Sequence, residues 1–193
     1  MADLPVVAVV ATHGEDRLGL LTGRALPSIA KQTTKADLVI VVSDNDPLNE
    51  FLDESDIKSC FEPGYQDNVR LINNNRTRGN SGTGAWNSGI FSALSTFGID
   101  CWISILDDDD EWEEDHIEVC LEAANNGSCQ WVASGIVRVT QNRKNENLPT
   151  SKPKASEFFT TNPGIQGSNL FLRVSTFLCK SLVLHVNHLY SLT

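Results

Sequence analysis

The amino-acid sequence predicts an α/β fold: a single domain in which helices flank one mostly parallel sheet. Short, continuous apolar runs recur along the chain, as expected for strands that are buried on both faces. Stretches with helical spacing of apolar residues separate these runs. The chain has 193 residues, of which 40% are hydrophobic, and this is the size and composition of one globular domain.

The predicted strands are apolar runs bounded by polar or turn-forming residues. The first, "VVAVVA", is continuous and β-branched, which is typical of a central parallel strand. The runs are Val6–Ala11, Asp37–Val42, Asn68–Ile72, Cys101–Leu106, Gln130–Val139 and, less regular, Gly167–Val174. The polar, proline-bearing stretch from Thr140 to about Lys154 predicts a loop.

The predicted helices follow from apolar residues three or four positions apart. One begins near Leu18, and Pro27 is expected to kink or shorten it. A second follows the glycine-rich stretch "RGNSGTG" and runs to Phe97. A third is "HIEVCLEAA", on which Ile117 and Leu121 share a face.

Composition excludes several classes of protein. The net charge of −10 disfavours a surface for nucleic acid or for an anionic membrane, because both need a basic footprint. The five cysteines form no CxxC pair, which argues against a zinc ribbon and a disulfide framework. No apolar stretch reaches the roughly 18 residues of a membrane span, and the N-terminus lacks the basic region of a signal peptide. These features predict a cytoplasmic protein.

An acidic run, "DDDDEWEED", follows the apolar run "CWISIL" directly. Eight of its nine residues, from Asp107 to Asp115, are acidic, so their repulsion must be offset by solvent, a bound cation or shifted pKa values. In parallel sheets, ligands bind at the carboxyl ends of the strands. Those ends also carry polar residues on three other predicted strands, which are Thr12 and His13, Asp44 and Asp46, and Asn73 to Asn75.

Such a rim suits a hard divalent cation, because magnesium and manganese prefer oxygen ligands and share them with substrate phosphates. Two other loop types do not fit. An EF-hand needs glycine where Trp112 stands, and a phosphate loop needs lysine and serine or threonine where Ala85 and Trp86 follow "GNSGTG". The glycine-rich stretch is therefore interpreted as the start of a helix whose exposed amides lie beside the acidic rim.

Five motifs, in order, resemble those of family 2 glycosyltransferases, which have a GT-A fold, a Rossmann-like α/β domain. "ILDDDDEW" resembles the Leu-Asp-x-Asp-Asp-x-Trp signature, and "VVAVVATHGEDR" resembles the opening strand and turn, of which Thr12 and Arg17 remain. "VIVVSDND" resembles the Asp-Asp-Gly-Ser strand end, with Ser43 in the first aspartate position. "GAWNSGI" resembles Ala-Arg-Asn-x-Gly-Ile, with Trp86 in place of the arginine, and "GIQGSNLFLR" resembles the acceptor-side segment.

The resemblance implies a domain over residues 1–175 that transfers a sugar from a nucleotide donor, with a UDP-sugar as the first expectation, to an unknown acceptor with inversion. It implies that Asp107 and Asp109 hold Mn²⁺ or Mg²⁺, with Asp110 supporting them. The implied nucleotide-binding residues are Thr12, Asp44, Arg78, Asn87 and Asp107, and the acceptor side is formed by Gly167, Ser168 and Asn169.

The catalytic base stays unassigned. In the resembled family it is an aspartate beyond the acceptor-side strand, but no Asp or Glu follows Glu157 here. Residues 176–193 form an atypical tail, so the domain is expected to be incomplete at its C-terminus. His185 and His188 are possible bases, although both fit exposed positions on an amphipathic tail better.

Two other functions stay open. One is a catalytically inactive fragment that still binds a nucleotide. The other, ranked lower, is a nucleotide-sugar pyrophosphorylase. That class needs a Gly-x-Gly-Thr-Arg run after the first strand, which "ATHGEDRLGLLTGR" lacks.

Overall fold

A six-stranded sheet with helices on both faces forms the centre of the fold. The computed structural model describes residues 4–44, 51–74, 82–140, 143–148 and 165–179. The strands are β1 (Val6–His13), β2 (Leu38–Asp44), β3 (Val69–Asn74), β4 (Trp102–Asp107), β5 (Trp131–Ala133), β6 (Ile136–Thr140), β7 (Arg143–Leu148) and β8 (Leu170–Arg173). The α-helices are α1 (Leu18–Leu20), α2 (Leu26–Ala30), α3 (Glu54–Lys58), α4 (Thr83–Phe97), α5 (His116–Gly127) and α6 (Val174–Cys179).

The strand order in the large sheet is β3-β2-β1-β4-β8-β5. The first four strands are parallel to one another, β8 is antiparallel to β4, and β5 is antiparallel to β8. Five of the six strands therefore run in one direction, which confirms the predicted α/β class and the mostly parallel sheet. The register aligns His13 with Asp44 and Ala11 with Asp107, so the polar ends of β1, β2 and β4 meet at one edge.

The core has two layers because alternate residues of each strand point to opposite faces. From β1, Val6, Ala8 and Val10 pack in one layer with Leu26, Ile29 and Ile117 of the helices. Val7 and Val9 pack in the other layer with Trp86, Ile90 and Ala93 of α4. Gly89 allows α4 to approach the sheet closely, since a Cβ there would lie 2.3 Å from Val9 Cγ1.

The helix predicted around Pro27 is continuous but changes its winding. A π-helical segment (Leu21–Ala25) separates α1 from α2, and Pro27 stands in the first turn of α2. Proline cannot donate the helical hydrogen bond and clashes with the carbonyl four residues earlier. The wider π turn accommodates it, so the change in winding lies before Pro27.

Three predictions for the second half of the chain were wrong in detail. The single strand predicted over Gln130–Val139 is two strands, β5 and β6, because Ser134 leaves the sheet and bonds to Asn169. The loop predicted from Thr140 contains β7, which forms an antiparallel two-stranded sheet with β6. The last predicted strand begins at Leu170, because the preceding residues Gly167–Asn169 form a 3₁₀ helix.

None of the helices within the described ranges is both long and apolar enough to cross a membrane. Among the cysteines whose side chains the structure describes, Cys60, Cys101, Cys120 and Cys129 carry free thiols.

Candidate functional site

A pocket of about 300 Å³ opens at the carboxyl edge of β1, β2 and β4. It forms there because three neighbouring parallel strands end side by side at this edge of the sheet. The pocket is lined by Ala11, Thr12, His13, Arg17, Asp44, Gly82, Asp107, Asp108 and Asp109. Segments that are distant in the sequence thus form one acidic cavity, as the strand ends predicted.

Asp108 is the buried member of the acidic run. The residue is 7% exposed, and its Oδ2 atom accepts a hydrogen bond of 2.8 Å from Thr12 Oγ1 on the neighbouring strand. Burial raises the pKa of Asp108, while the bond from Thr12 and the charge of Arg17 act in the opposite direction. Thr12 and Asp108 therefore tie the ends of β1 and β4 together beneath the pocket.

Arg17 is the cation that offsets part of the repulsion among these aspartates. Its Nη1 atom lies 3.3 Å from Asp108 Oδ1 and 2.8 Å from Asp109 Oδ2. The hydrogen bond to Asp109, followed by the charge of Asp108, raises the pKa of the Arg17 guanidinium. Arg24 adds a bond of 2.9 Å from Nη1 to the main-chain oxygen of Asp109.

Asp107 ends β4 and is less exposed than Asp109. Burial, together with the charges of Asp110, Asp109 and Asp108, raises the pKa of Asp107 to about 7. A hydrogen bond with Ser168 opposes this rise. The main-chain N–H of Asp107 also donates to Ser168 Oγ over 3.0 Å.

A polar chain holds Asp44 at the end of β2. The residue is 3% exposed, and its Oδ1 accepts a bond of 2.6 Å from Asn74 Nδ2 on β3. The Oδ1 atom of Asn74 in turn accepts a bond of 3.2 Å from the hydroxyl of Ser88 on α4. Asp44 is therefore oriented by residues from an adjacent strand and from a helix.

The start of α4 lies beside the pocket, as predicted from its glycine-rich approach. Gly82 lines the pocket and precedes α4 with a φ of +75°, the left-handed conformation that glycine adopts without strain. In the described part of the chain, Thr83 Oγ1, Trp86 Nε1 and Asn87 Oδ1 are buried without a hydrogen-bond partner. Buried polar atoms of this kind are uncommon in folded proteins and are concentrated here in the first turns of α4.

Gly167–Asn169, predicted from the sequence for the acceptor side, form a 3₁₀ turn that two tryptophans contact. The ring of Trp86 lies under Gly167, where an added Cβ would be 2.3 Å from Cζ2. Trp112 Nε1 donates to the main-chain oxygen of Ser168 over 2.9 Å. Asn169 is 2% exposed and donates from Nδ2 to the oxygen of Ser134 over 2.8 Å.

The structure brings together most of the residues that the sequence selected. Thr12, Asp44, Asp107 and Asp109 line the pocket, and Ser168 contacts Asp107. Asn87 is buried on α4 and is not among the lining residues, while Asp110 closes the turn by donating its N–H to the oxygen of Asp107. Arg78 lies outside the described residues, as do His185 and His188.

Two functional candidates were missed from the sequence. Asp108 stands at the variable position of the Leu-Asp-x-Asp-Asp-x-Trp signature, yet it is the aspartate that accepts a hydrogen bond from Thr12. Arg17 was noted only as a match to the family pattern, yet it bridges Asp108 and Asp109. The adjacency of β1 and β4 decides both contacts, and adjacency is a property of sheet order that the local pattern does not contain.

Within the described ranges, no group of three or more His, Cys, Asp or Glu side chains is arranged to hold a metal ion. Asp107 and Asp109 both line the pocket, and carboxylate oxygens are the ligands that hard divalent cations prefer. The donor chemistry therefore fits such an ion.

Comparisons with known proteins agree with this architecture. The family model for glycosyl transferase family 2 matches residues 7–180. The S. aureus TarS 1-349 structure in complex with UDP-GlcNAc is 13% identical with a TM-score of 0.62, and the match covers 90% of this chain and 46% of that chain. The structure of the same protein with UDP is also 13% identical, with a TM-score of 0.58 and coverage of 90% and 48%.

The chain thus spans about half the length of these solved structures, and at such low identity they establish a shared fold. No curated protein is significantly similar to the chain. Because the family model matches most of the sequence, the chain belongs to glycosyl transferase family 2.

Proposed function

We propose that this domain binds a nucleotide-sugar donor and transfers its sugar to an acceptor, with a UDP-sugar as donor and inversion at the sugar carbon. The observation that carries the proposal is the acidic pocket at the ends of β1, β2 and β4 in a chain of this family. The TarS structures, which share the fold, contain UDP-GlcNAc or UDP, and this supports uridine as the first nucleoside to test.

In this proposal the nucleoside contacts Asp44 and Thr12. Asp44 is suited to recognise a base or ribose, since Asn74 occupies one of its oxygens and fixes the direction of the other. Thr12 donates its hydroxyl hydrogen to Asp108, so towards a ligand its oxygen acts as an acceptor. Arg78 and Asn87 are proposed to contribute from the glycine-rich approach to α4 and from its first turns.

We propose that Asp107 and Asp109 hold Mn²⁺ or Mg²⁺, with Asp110 supporting their turn. Four aspartates line the pocket, and among its described lining residues Arg17 is the one arginine or lysine. The anionic diphosphate of a donor would meet net repulsion there unless further positive charge were present. A bound divalent cation supplies that charge and acts as a Lewis acid towards the departing nucleoside diphosphate.

The acceptor is proposed to approach over Gly167–Asn169. Ser168 binds Asp107, so this turn lies beside the proposed metal ligands.

A second candidate function is nucleotide binding without turnover. It is favoured by the segment Ile165–Cys179, which contains no Asp, Glu or His to take a proton from an acceptor hydroxyl.

Calorimetric titration tests the donor site. With UDP and Mn²⁺ together, Asp109→Asn should lose several kcal/mol of coupled binding free energy, because it removes one ligand of an ion that bridges protein and phosphate. Glu111→Gln is the matched control, since it removes an equal charge from an exposed residue outside the pocket lining.

If Asp109→Asn binds UDP and Mn²⁺ as the native chain does, the assignment of Asp109 as a metal ligand is wrong. Release of UDP from UDP-GlcNAc, measured with and without candidate acceptors, separates the two functions. Acceptor-dependent release supports transfer, whereas binding without release supports the second candidate.

A further inference from the structure

One nitrogen of Arg17 serves two carboxylates inside the pocket. Nη1 contacts Asp108 Oδ1 at 3.3 Å and Asp109 Oδ2 at 2.8 Å. Charge-assisted hydrogen bonds of this kind are among the stronger polar contacts in proteins. Arg17 therefore occupies the oxygen of Asp109 that a divalent cation would also seek.

Arg17 is not fixed by burial. Its side chain is 39% exposed, and the residue ends a short 3₁₀ helix (Glu15–Arg17) that follows Gly14, which has a φ of +83°. No buried residue lies in that helix. The guanidinium can thus change partners without disrupting the core.

The two aspartates would respond differently if Arg17 moved. Asp108 keeps its hydrogen bond from Thr12, and its side chain is 9% exposed. Asp109 has a side chain that is 48% exposed, and Arg17 is the ion-pair partner that the structure gives it. Departure of Arg17 would therefore release the carboxylate of Asp109 and leave Asp108 in place.

We propose that Arg17 is an exchangeable counter-ion, which neutralises Asp108 and Asp109 in the arrangement seen here and transfers to the diphosphate when a donor nucleotide binds. This inference rests on the proposed function. A diphosphate offers the guanidinium a paired set of acceptor oxygens. Its binding frees Asp109 for the metal, so nucleotide and metal binding become cooperative, and the effect is necessarily reciprocal.

The test is a thermodynamic cycle with Mn²⁺ and UDP, each titrated alone and in the presence of the other. Arg17→Gln should bind Mn²⁺ alone about five- to tenfold more tightly, because a competing charge is removed from its ligand. The same variant should bind UDP alone about tenfold more weakly. The factor by which UDP strengthens Mn²⁺ binding should fall on the order of fivefold relative to the native chain.

Arg24→Gln is the matched control. It also removes one positive charge near Asp109, but Arg24 bonds the main-chain oxygen and not the carboxylate. Its Mn²⁺ affinity and coupling factor should stay within about twofold of the native values. Arg17→Met is measured in parallel, so that the result does not depend on how one substitution folds.

The outcomes separate this inference from the function on which it rests. Equal Mn²⁺ affinity and equal coupling in the native chain and both Arg17 variants would overturn the exchange, while the nucleotide site would stand. The same would follow if Arg24→Gln matched Arg17→Gln. Absence of Mn²⁺ and UDP binding in the native chain would overturn the proposed function, and the exchange with it.

Discussion

The two halves of the large sheet are built by different rules. Strands β3, β2, β1 and β4 are parallel, and their central members are continuous apolar runs buried on both faces. Strands β8 and β5 are short, with four and three residues, and β8 is antiparallel to its neighbours. The parallel half follows from local hydrophobic pattern, whereas the other half is held by contacts between distant residues.

The seam between the halves, where β8 (Leu170–Arg173) lies beside β4 (Trp102–Asp107), shows which contacts these are. On one side of the sheet, Gly167 rests on the ring of Trp86 from α4. Elsewhere along the seam, Ser168 receives bonds from the N–H of Asp107 and the indole of Trp112. The acidic pocket belongs to the parallel half, but one of its aspartates, Asp107, is hydrogen-bonded across the seam to Ser168. Substitutions at the seam and within the parallel half should therefore reduce the free energy of unfolding by different amounts.

The largest effect is expected at the seam, for Gly167→Ala. The new Cβ would lie 2.3 Å from Trp86 Cζ2 and 2.4 Å from Cη2, so the ring or the turn must move. Overpacking of this severity should reduce the free energy of unfolding by about 3 kcal/mol. Urea denaturation followed by circular dichroism measures the loss.

Gly23→Ala is the control for that substitution, because its Cβ would meet nothing within 4 Å, and no loss is expected. Combining Gly167→Ala with Trp86→Phe removes the clashing part of the indole. The double variant should be more stable than the sum of the two single effects predicts. If the changes in the free energy of unfolding of the two single variants add up to that of the double variant, Trp86 and Gly167 are not coupled across the seam.

An intermediate effect is expected from pH, through His116 beneath the seam. Its ring stacks on Trp112 with centroids 4.5 Å apart, and Nε2 lies 3.2 Å from Ser104 Oγ. Burial lowers the pKa of His116 to about 4 from an ordinary value of 6.5. Below pH 6.5 the unfolded chain therefore gains a proton that the folded chain resists. Stability should fall by about 2 kcal/mol as the pH drops from 6.5 towards 4.

His116→Phe isolates this contribution, since all other titrating groups are shared by the two proteins. The difference in unfolding free energy between native and variant is taken at pH 8 as the baseline. It should shift in favour of the variant as the pH falls through 6 and 5. A difference that stays constant over this range would mean that His116 protonates equally in the folded and unfolded chains.

The smallest effect is expected inside the parallel half, for Ser88→Ala. The hydroxyl of Ser88 bonds Asn74 Oδ1 and also lies 3.0 Å from the oxygen of Gly84. Loss of the bond to Asn74 should cost about 0.5 to 1 kcal/mol of stability. Ser95→Ala is the matched control, because Ser95 bonds only the helix carbonyl of Phe91 among its described contacts. Equal stabilities of the two variants would remove Ser88 from the chain of residues that orients Asp44.

The difference between the two halves of the sheet explains which elements could be predicted from the sequence and which could not. The strands of the parallel half were predicted because a run such as "VVAVVA" is apolar throughout, and their polar ends identified Asp44 and Asp107 as pocket residues. β7 was missed because "RKNENL" has no apolar period from which a strand can be inferred. The 3₁₀ turn at Gly167 packs against Trp86, which lies far away in the sequence.

The same limit applies to the pocket. Residue types and strand ends indicated that carboxylates would gather there, but not which carboxylate would be buried. Asp108 is buried because β4 lies beside β1, where Thr12 can reach it. A local sequence pattern indicates where each strand ends, but it does not indicate which strand lies beside it. The pairing of Arg17 with Asp109 could therefore not be predicted either.

The hydrogen bond between Thr12 and Asp108 joins residues 96 positions apart, and the bond between Asp107 and Ser168 spans 61 positions. Contacts of such long sequence separation close large loops, whose entropy must be offset before the contacts stabilise anything. We therefore expect the pocket to form late in folding, because no short segment of the chain can assemble it alone. Its geometry should persist for as long as the whole sheet does, and amide exchange at Asp107 should report global unfolding.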